Sequence, residues 1–429
     1  MSLAPLPRCG MGTAGIGNLY APVSDRTADE TVAAALVAGF FYFDTAPYYG
    51  FGLAERRLGD ALAAHDPDQR AIVSTKVGRL LAPAEAPASE RHGFVDGDPF
   101  EPLFDYGYDA VLRSHESSLK RLRRDRVEIL LAHDLGTLTH GAEASRHMAD
   151  FLGGGYRALA ELRDAGAVDA IGIGVNEAEV AEFLLDRVPL DVILLAGRYT
   201  LLDRSAVPLL DLCAEKGVRL IIGGPYNSGI LAAPAADRAE VRFDYRPASS
   251  TIRARAAALE SLCASYGVAL PAAALQFPLR HPAVACVIPG LVGADQVRDT
   301  AARLAAEVPA ALWSALADGA PAPPCTCQAN SEKLLLLHEA DNVLVCVSPV
   351  AGGELISIDG CGVKAPEAIP VGHKVARTAL GPGSKVLKHG APIGSVTQPV
   401  EAGAWVHMHN MKSDYIASHT RKSVAEGQG

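Results

Sequence analysis

From about residue 8 to residue 318, short β-branched or apolar runs alternate with longer stretches of helical period. The runs are FYFDTA with its core at 42–46, AIVSTKVG, VEILLAHD, AIGIGVN, VILLAGRY, RLIIGGPY and VACVIPG. Each is too uniformly apolar for a sheet with one wet face and suits a parallel strand buried on both faces. Between them lie amphipathic segments such as TADETVAAALVAGF, where Thr27 and Glu30 have the spacing of a capping box and Gly39 is placed as a C-cap. With a first strand at residues 8–14 the count reaches eight βα units. The predicted fold class is α/β, a closed (β/α)₈ TIM barrel, with a doubly wound open sheet as the alternative.

Residues 80–105 break this rhythm, with four prolines and no stable period. The stretch follows a barrel strand, which puts it at the C-terminal rim, either as a substrate-covering loop or as a plain surface excursion. Residues 319–332, GAPAPPCTCQANSE, read as a Pro/Ala-rich linker. Beyond it the texture changes to short strand-like pieces divided by turns, which predicts a small all-β domain over 333–415 and a disordered tail over 416–429.

The composition is that of a globular protein, 49 % hydrophobic and 21 % charged over 429 residues. Its 39 basic and 49 acidic residues give a formal charge of −10, and nine of each sign fall after residue 330, so the acidic excess belongs to the barrel segment. That balance argues against nucleic acid or an anionic membrane as a partner. No apolar run approaches the roughly 20 residues of a membrane span, and the N-terminus lacks a signal-peptide pattern, so a cytoplasmic protein is expected. Eight cysteines are too sparse for a disulfide framework, and Cys325 and Cys327 read as free thiols in the linker. No metal site is expected.

Gly10, Gly12 and Gly15 have the spacing of a dinucleotide-binding fingerprint. The context is wrong: Pro5 and Pro7 break the preceding segment and no helical period precedes Pro22, so the match is read as accidental. A more informative set lies at the strand ends. Asp44 ends the second strand with Tyr49 just beyond, Lys76 ends the third and His133 the fourth. Carboxylate, phenol, ammonium and imidazole then converge on one rim. An ammonium beside a phenol stabilises the phenolate, a carboxylate keeps that ammonium charged, and an imidazole can hold a substrate oxygen.

FDTAPYYGFGLAERRLG, STKVG, SLKRLRRDRVEILLAHD and IGIGVN together resemble the aldo-keto reductase superfamily over about residues 8–318. The resemblance implies a barrel that binds an extended nicotinamide cofactor without a glycine fingerprint. It implies Tyr49 as general acid/base, supported by Asp44 and Lys76, with His133 orienting the substrate. By the same resemblance Asn176 holds the nicotinamide carboxamide, the competing role being a cap for the helix that follows. The sequence departs from the broad pattern at Ala196 and Gly223, where many members have a glutamine and a stacking aromatic. Gly290 and Gln296 stand where a lysine and an arginine commonly grip a 2′-phosphate, which implies NAD rather than NADP, with Arg298 as the residue that tests this. LLAGRYTLLD and IIGGPYNSGILA narrow the likeness to a branch of NAD-dependent aldose (D-threo-aldose or L-fucose type) and pyridoxal dehydrogenases. Arg198, Tyr226 and Asn227 are the expected substrate contacts, together with the 80–105 segment.

LLLLHEADNVLV, IPVGHKVA and VLKHGAPIGSVTQPVEAGAWVHMHN resemble the SAF domain of altronate-type sugar-acid dehydratases, a β-clip fold. His338, His373, His389, His407 and His409 form a set there, read either as a metal or sugar-acid contact or as ordinary packing. The fusion implies oxidation of an aldose at C1 to the aldonolactone, with a separately encoded large dehydratase subunit as a possible partner. Pyridoxal oxidation, general aldehyde reduction and a non-enzymatic scaffold are the alternatives, and a homo-oligomer is left open.

Overall fold

The computed structural model describes residues 4–85, 87–232, 241–318, 333–338, 341–358 and 361–414. The linker 319–332 with Cys325 and Cys327, and the tail 416–429, lie outside them. The chain divides into two compact units, Met1–Pro321 and Ala322–Gly429.

In the first unit, eight parallel strands follow one another in chain order: β1 (Met11–Gly12), β2 (Tyr42–Asp44), β3 (Ile72–Val77), β4 (Ile129–His133), β5 (Ala170–Val175), β6 (Val192–Ala196), β7 (Arg219–Gly223) and β8 (Val284–Ile288). Cys9–Val287 and Gly12–Gly290 bridges join the last strand to the first. The sheet thus curls into the predicted barrel rather than the open alternative. β1 is shorter than expected, and beside it Gly10 runs hard against β2, where a Cβ would sit 2.5 Å from the Tyr42 carbonyl. Inside the barrel Tyr42, Ile129, Leu131, Ala170, Val192, Leu194, Ile221, Cys286 and Ile288 form a closed cluster, and a larger core fills the space between strands and helices.

Two local expectations are revised. The first helix spans Asp25–Val37 and its cap is Ser24, whose hydroxyl accepts from Thr27 N at 3.0 Å, while Glu30 pairs with Arg26. Ser24 has the extended backbone a cap requires, so the helix starts a turn before the apparent capping box. The 80–105 segment is not irregular: Arg79–Pro83 pairs with Phe100–Phe104, and Glu90–Arg91 pairs with Phe94–Val95 within it. Among the described residues no single helix is long and apolar enough to cross a membrane.

The second unit is all-β, and a repeated spacing builds it. An apolar residue, a glycine three places on and an apolar residue three further recur as Val350/Gly353/Ile356, Ile369/Gly372/Val375, Leu380/Gly383/Val386 and Val400/Gly403/Val406. All four glycines take φ between 82° and 86°, the left-handed turn that an L side chain resists. Each turn delivers its two apolar residues to the interior, where every one is buried. The first two repeats share one small core and the last two another, with Val350 bridged to Ile369 and Leu380 to Val400.

Candidate active site

Side-chain alternation along the barrel strands positions the site. The inward series Tyr42–Asp44, Ser74–Lys76 and Leu131–His133 begins in the barrel core and ends in a polar group at the C-terminal rim. The three functional side chains therefore occupy the next inward positions above a hydrophobic floor. Room for Lys76 comes from β5, where a Cβ on Gly174 would stand 3.1 Å from Lys76 Cε. Tyr49 is delivered by the 3₁₀ turn Tyr49–Gly52, in which Gly50 has φ 64° and lies so close to the Gly17 carbonyl, 2.4 Å from a built Cβ, that only glycine fits.

Lys76 Nζ donates to Asp44 Oδ2 at 2.7 Å, to the Thr45 carbonyl at 2.9 Å and to the Tyr49 hydroxyl at 3.1 Å. Ser74 Oγ donates to the other Asp44 oxygen at 2.7 Å, and Tyr42 closes the chain against Ser74 at 2.8 Å. Burial works against both the Asp44 and the Lys76 charge, and each partner's charge opposes that effect on the other. Burial also pushes the Tyr49 phenol well above its ordinary range, with the Asp44 and Asp134 carboxylates adding to the rise and Arg79 opposing it. The His133 imidazole is held well below its usual range by burial and by the Arg79 and Lys76 cations, so it is neutral at physiological pH. Its ring stands 6.0 Å from that of Tyr49 at 90°, and its Nδ1 has no partner among the described residues.

Asp44, Tyr49, Lys76 and His133 are thus brought together. Tyr49, Lys76, His133 and Asn176 line a cavity of about 750 Å³. Asn176 approaches Asp134 at 3.5 Å and does not cap the following helix, whose N-cap is Glu177 without a side-chain bond. Gly223, Tyr226, Gly290 and Gln296 line a second cavity of about 500 Å³, which shares Ala14, Leu19, Tyr20, Tyr49, Leu194, Ala196 and Tyr245 with the first. Gln296 accepts from Val292 N at 3.0 Å, and the exposed Arg298 pairs with Asp295 on its own helix. Arg198 and Asn227 line neither cavity. The Arg198 guanidinium is buried, donating to the Asn176 carbonyl at 2.8 Å and to both oxygens of Asp244 at 2.9 and 3.0 Å. Asn227 is held by Thr200 and the Gly197 carbonyl.

Several lining residues escaped the sequence reading. Arg79 and Asp134 form a buried ion pair at 2.5 Å beside this cluster, with the Arg79 guanidinium 4.0 Å from the centroid of the Tyr48 ring. Asp134 follows His133 directly and Arg79 is three residues past Lys76, so adjacency to the strand ends was the available signal. Tyr245, from the hairpin Arg242–Phe243/Arg246–Pro247, lines both cavities. In the second cavity Asp299 and Arg303 face each other at 3.9 Å.

The Aldo/keto reductase family model matches residues 8–318, and the Altronate/galactarate dehydratase SAF domain model matches residues 332–414. The chain is 42 % identical over 318 residues to pyridoxal 4-dehydrogenase of Microbacterium luteolum, covering 72 % of this chain and 92 % of that protein. It is 35 % identical over 319 residues to D-threo-aldose 1-dehydrogenase of a Pseudomonas species, covering 73 % and 94 %. Its C-terminal part is 36 % identical over 78 residues to altronate dehydratase of Escherichia coli, which is 18 % of this chain and 16 % of that one. The fold is that of the holo aldo-keto reductase AKR11C1 from Bacillus halodurans, with TM-score 0.59, 24 % identity and coverage of 75 % and 96 %. An eight-stranded barrel with a lysine-supported phenol at its C-terminal rim, matched over residues 8–318, makes this chain a member of the aldo/keto reductase family, an oxidoreductase carrying a C-terminal SAF domain.

Proposed function

We propose that the barrel oxidises a neutral aldose of the L-fucose or D-threo type at C1 to the aldonolactone, with NAD as its cofactor. The observation that carries the reading is the Lys76 ammonium spanning Asp44 and the Tyr49 hydroxyl beside a neutral His133. When bound, the nicotinamide supplies the acceptor for the hydride that leaves C1. Tyr49, as phenolate, takes the proton of the anomeric hydroxyl, and Lys76 stabilises that phenolate through its hydrogen bond. His133 stands beside the phenol to hold the substrate oxygen as a neutral ring.

Charge around the phenol is balanced, Lys76 and Arg79 against Asp44 and Asp134. The two cations beside the phenol are already paired, and Arg242, which also lines the cavity, is exposed to solvent, so free sugars fit better than sugar phosphates at the phenol. Small residues fit an extended dinucleotide along the second cavity: Gly12, Gly223 and Gly290 offer bare backbone, and a Cβ at Gly290 would meet nothing within 4 Å. Asn176 is the proposed partner of the carboxamide. The Asp299 carboxylate and the absence of a side chain at Gly290 disfavour a 2′-phosphate, which supports NAD over NADP. Arg303 is the cation that opposes this preference.

The SAF domain favours the sugar, because it is related to enzymes named for a sugar acid, and it makes a large dehydratase subunit the proposed partner. A second reading, pyridoxal oxidation, is favoured by the higher identity to the pyridoxal enzyme, 42 % against 35 %. Pyridoxal and aldoses are both cyclic hemiacetals in water, so the same residues serve either. Initial rates of NADH and NADPH formation with L-fucose, D-arabinose, L-galactose and pyridoxal separate them. NAD-dependent turnover of the sugars is expected; turnover of pyridoxal alone, or a preference for NADP, would replace this reading.

A further inference from the structure

Arg79 and Asp134 are a charged pair in the wall of the first cavity that the proposed proton transfer does not use. Both are largely removed from water, their side chains 4 % and 12 % exposed, yet both line the cavity. Two desolvated charges cost stability unless their remaining hydrogen-bonding capacity is met, so a pair kept at a cavity wall points to a ligand that meets it.

Several elements serve this placement. Asp134 leaves the end of β4 with φ 44°, a backbone that an L residue resists and that its surroundings must hold. Its N–H donates to the Gly174 carbonyl of β5 at 2.9 Å, and its own carbonyl lies 2.9 Å from the Tyr106 hydroxyl and 2.8 Å from His140 Nε2. Arg79 follows Gly78, whose φ of 99° turns the chain out of β3 and whose missing Cβ makes way for the Tyr106 ring. The guanidinium then lies against Tyr48, 4.0 Å from the ring centroid, with the Phe104 ring 5.5 Å away. The carboxylate is thus fixed by its backbone and the guanidinium by its stacking.

An ionised carboxylate offers about four acceptor positions. Arg79 takes one on Oδ2, and Asn176 Nδ2 stands 3.5 Å from Oδ1, which leaves capacity for a further donor. Distance decides which donor that is. Oδ2 stands 3.5 Å from His133 Nε2, on the imidazole that holds the oxygen of the reacting carbon in the proposed reaction. Gauche oxygens on neighbouring carbons of a sugar ring stand about a hydrogen-bond length apart, so an oxygen held at Nε2 brings the next hydroxyl to the carboxylate. Pyridoxal has no hydroxyl on the carbon next to the one oxidised.

We propose that Asp134, held by Arg79, is a specificity-determining residue that accepts a hydrogen bond from the hydroxyl on the carbon adjacent to the oxidised one, C2 of an aldose. The assignment rests on the barrel reading and deepens it, since it makes the preferred substrate a 2-hydroxy hemiacetal.

D-Arabinose and 2-deoxy-D-ribose differ only at the C2 hydroxyl, so their kcat/KM values with the full chain and NAD are the test. The wild-type protein should prefer D-arabinose by about 100-fold or more, because a site built to bond a hydroxyl rejects the analogue that lacks it. In Asp134→Asn the preference should shrink below about tenfold, the loss falling on D-arabinose. Arg79→Gln/Asp134→Asn removes both charges together, so that neither is left buried alone; it should fold with a Tm near that of the wild type and show the same collapse of preference. A wild-type protein indifferent to the C2 hydroxyl, a preference that survives in both variants, or an equal loss on both sugars would overturn the proposal and leave the aldose reading standing. Turnover of pyridoxal with neither sugar oxidised would overturn both.

Discussion

In the proposed reaction Tyr49 moves the proton, and its environment fixes a pH signature for that role. Burial and two carboxylates keep the phenol protonated well past neutrality. In the oxidising direction the active form is the phenolate, whose fraction rises with pH below the phenol's pKa. Oxidation should therefore climb about tenfold per pH unit between pH 7 and 9, while reduction, which uses the phenol as acid, stays flat. Profiles of kcat/KM in both directions check this, and an oxidation optimum below pH 7 would contradict it. Replacing Tyr49 by Phe removes the proton acceptor and should lower kcat by about 10²–10⁴-fold. NADH binding, read by fluorescence, should persist in that variant. The meeting of Asp44, Tyr49, Lys76 and His133 at one rim was legible because strand ends and side-chain alternation are periodic features of sequence. Arg79 and Asp134 were not: Asp134 turns into the cavity through a left-handed backbone, φ 44°, and nothing in its identity announces that turn. Asn227 reads as a rim residue in sequence, yet it is spent on Thr200 and Gly197 inside the fold.

Elements matter here through the space they leave. β5 carries Gly172 and Gly174 on its inward side, and Gly174 lets Lys76 cross to Tyr49. Gly174→Ala brings a methyl within 3.1 Å of Lys76 Cε, closer than such contacts normally run. The flexible lysine gives way, its bond to Tyr49 lengthens, and kcat should fall about tenfold or more with little loss of Tm, measured side by side. The hairpin Arg242–Phe243/Arg246–Pro247 is tied to the barrel through Asp244 and Arg198, and the same arginine holds the Asn176 carbonyl. Asp244→Ala should raise the cofactor KM several-fold and leave kcat within about twofold. An unchanged KM would show that the tether does not steady the cofactor side. The hairpin itself was invisible in sequence, as were the paired strands of 80–105, because two- to five-residue strands are too short to show alternation and their pairing is tertiary.

At the scale of the whole molecule, each compact unit keeps its core within its own limits. The barrel clusters draw only on residues up to 316, and the two small β cores draw only on residues from 334 onward. The charge divides the same way, with the acidic excess on the barrel segment and none on the remainder. Folding and oxidation should therefore be separable from the SAF domain. A chain ending at residue 321 is expected to fold and to keep its oxidoreductase activity, with kcat/KM within about twofold of the full-length protein on whichever substrate the full-length protein turns over. Its Tm for the barrel transition should shift by no more than a few degrees, because among the described residues no member of the barrel core is removed. Circular dichroism melts and initial rates on the two lengths decide the matter. If the short chain folded but lost oxidation by tenfold or more, the SAF domain would be part of the barrel's catalytic apparatus. Retention of activity would show that the barrel's chemistry needs nothing from the C-terminal domain.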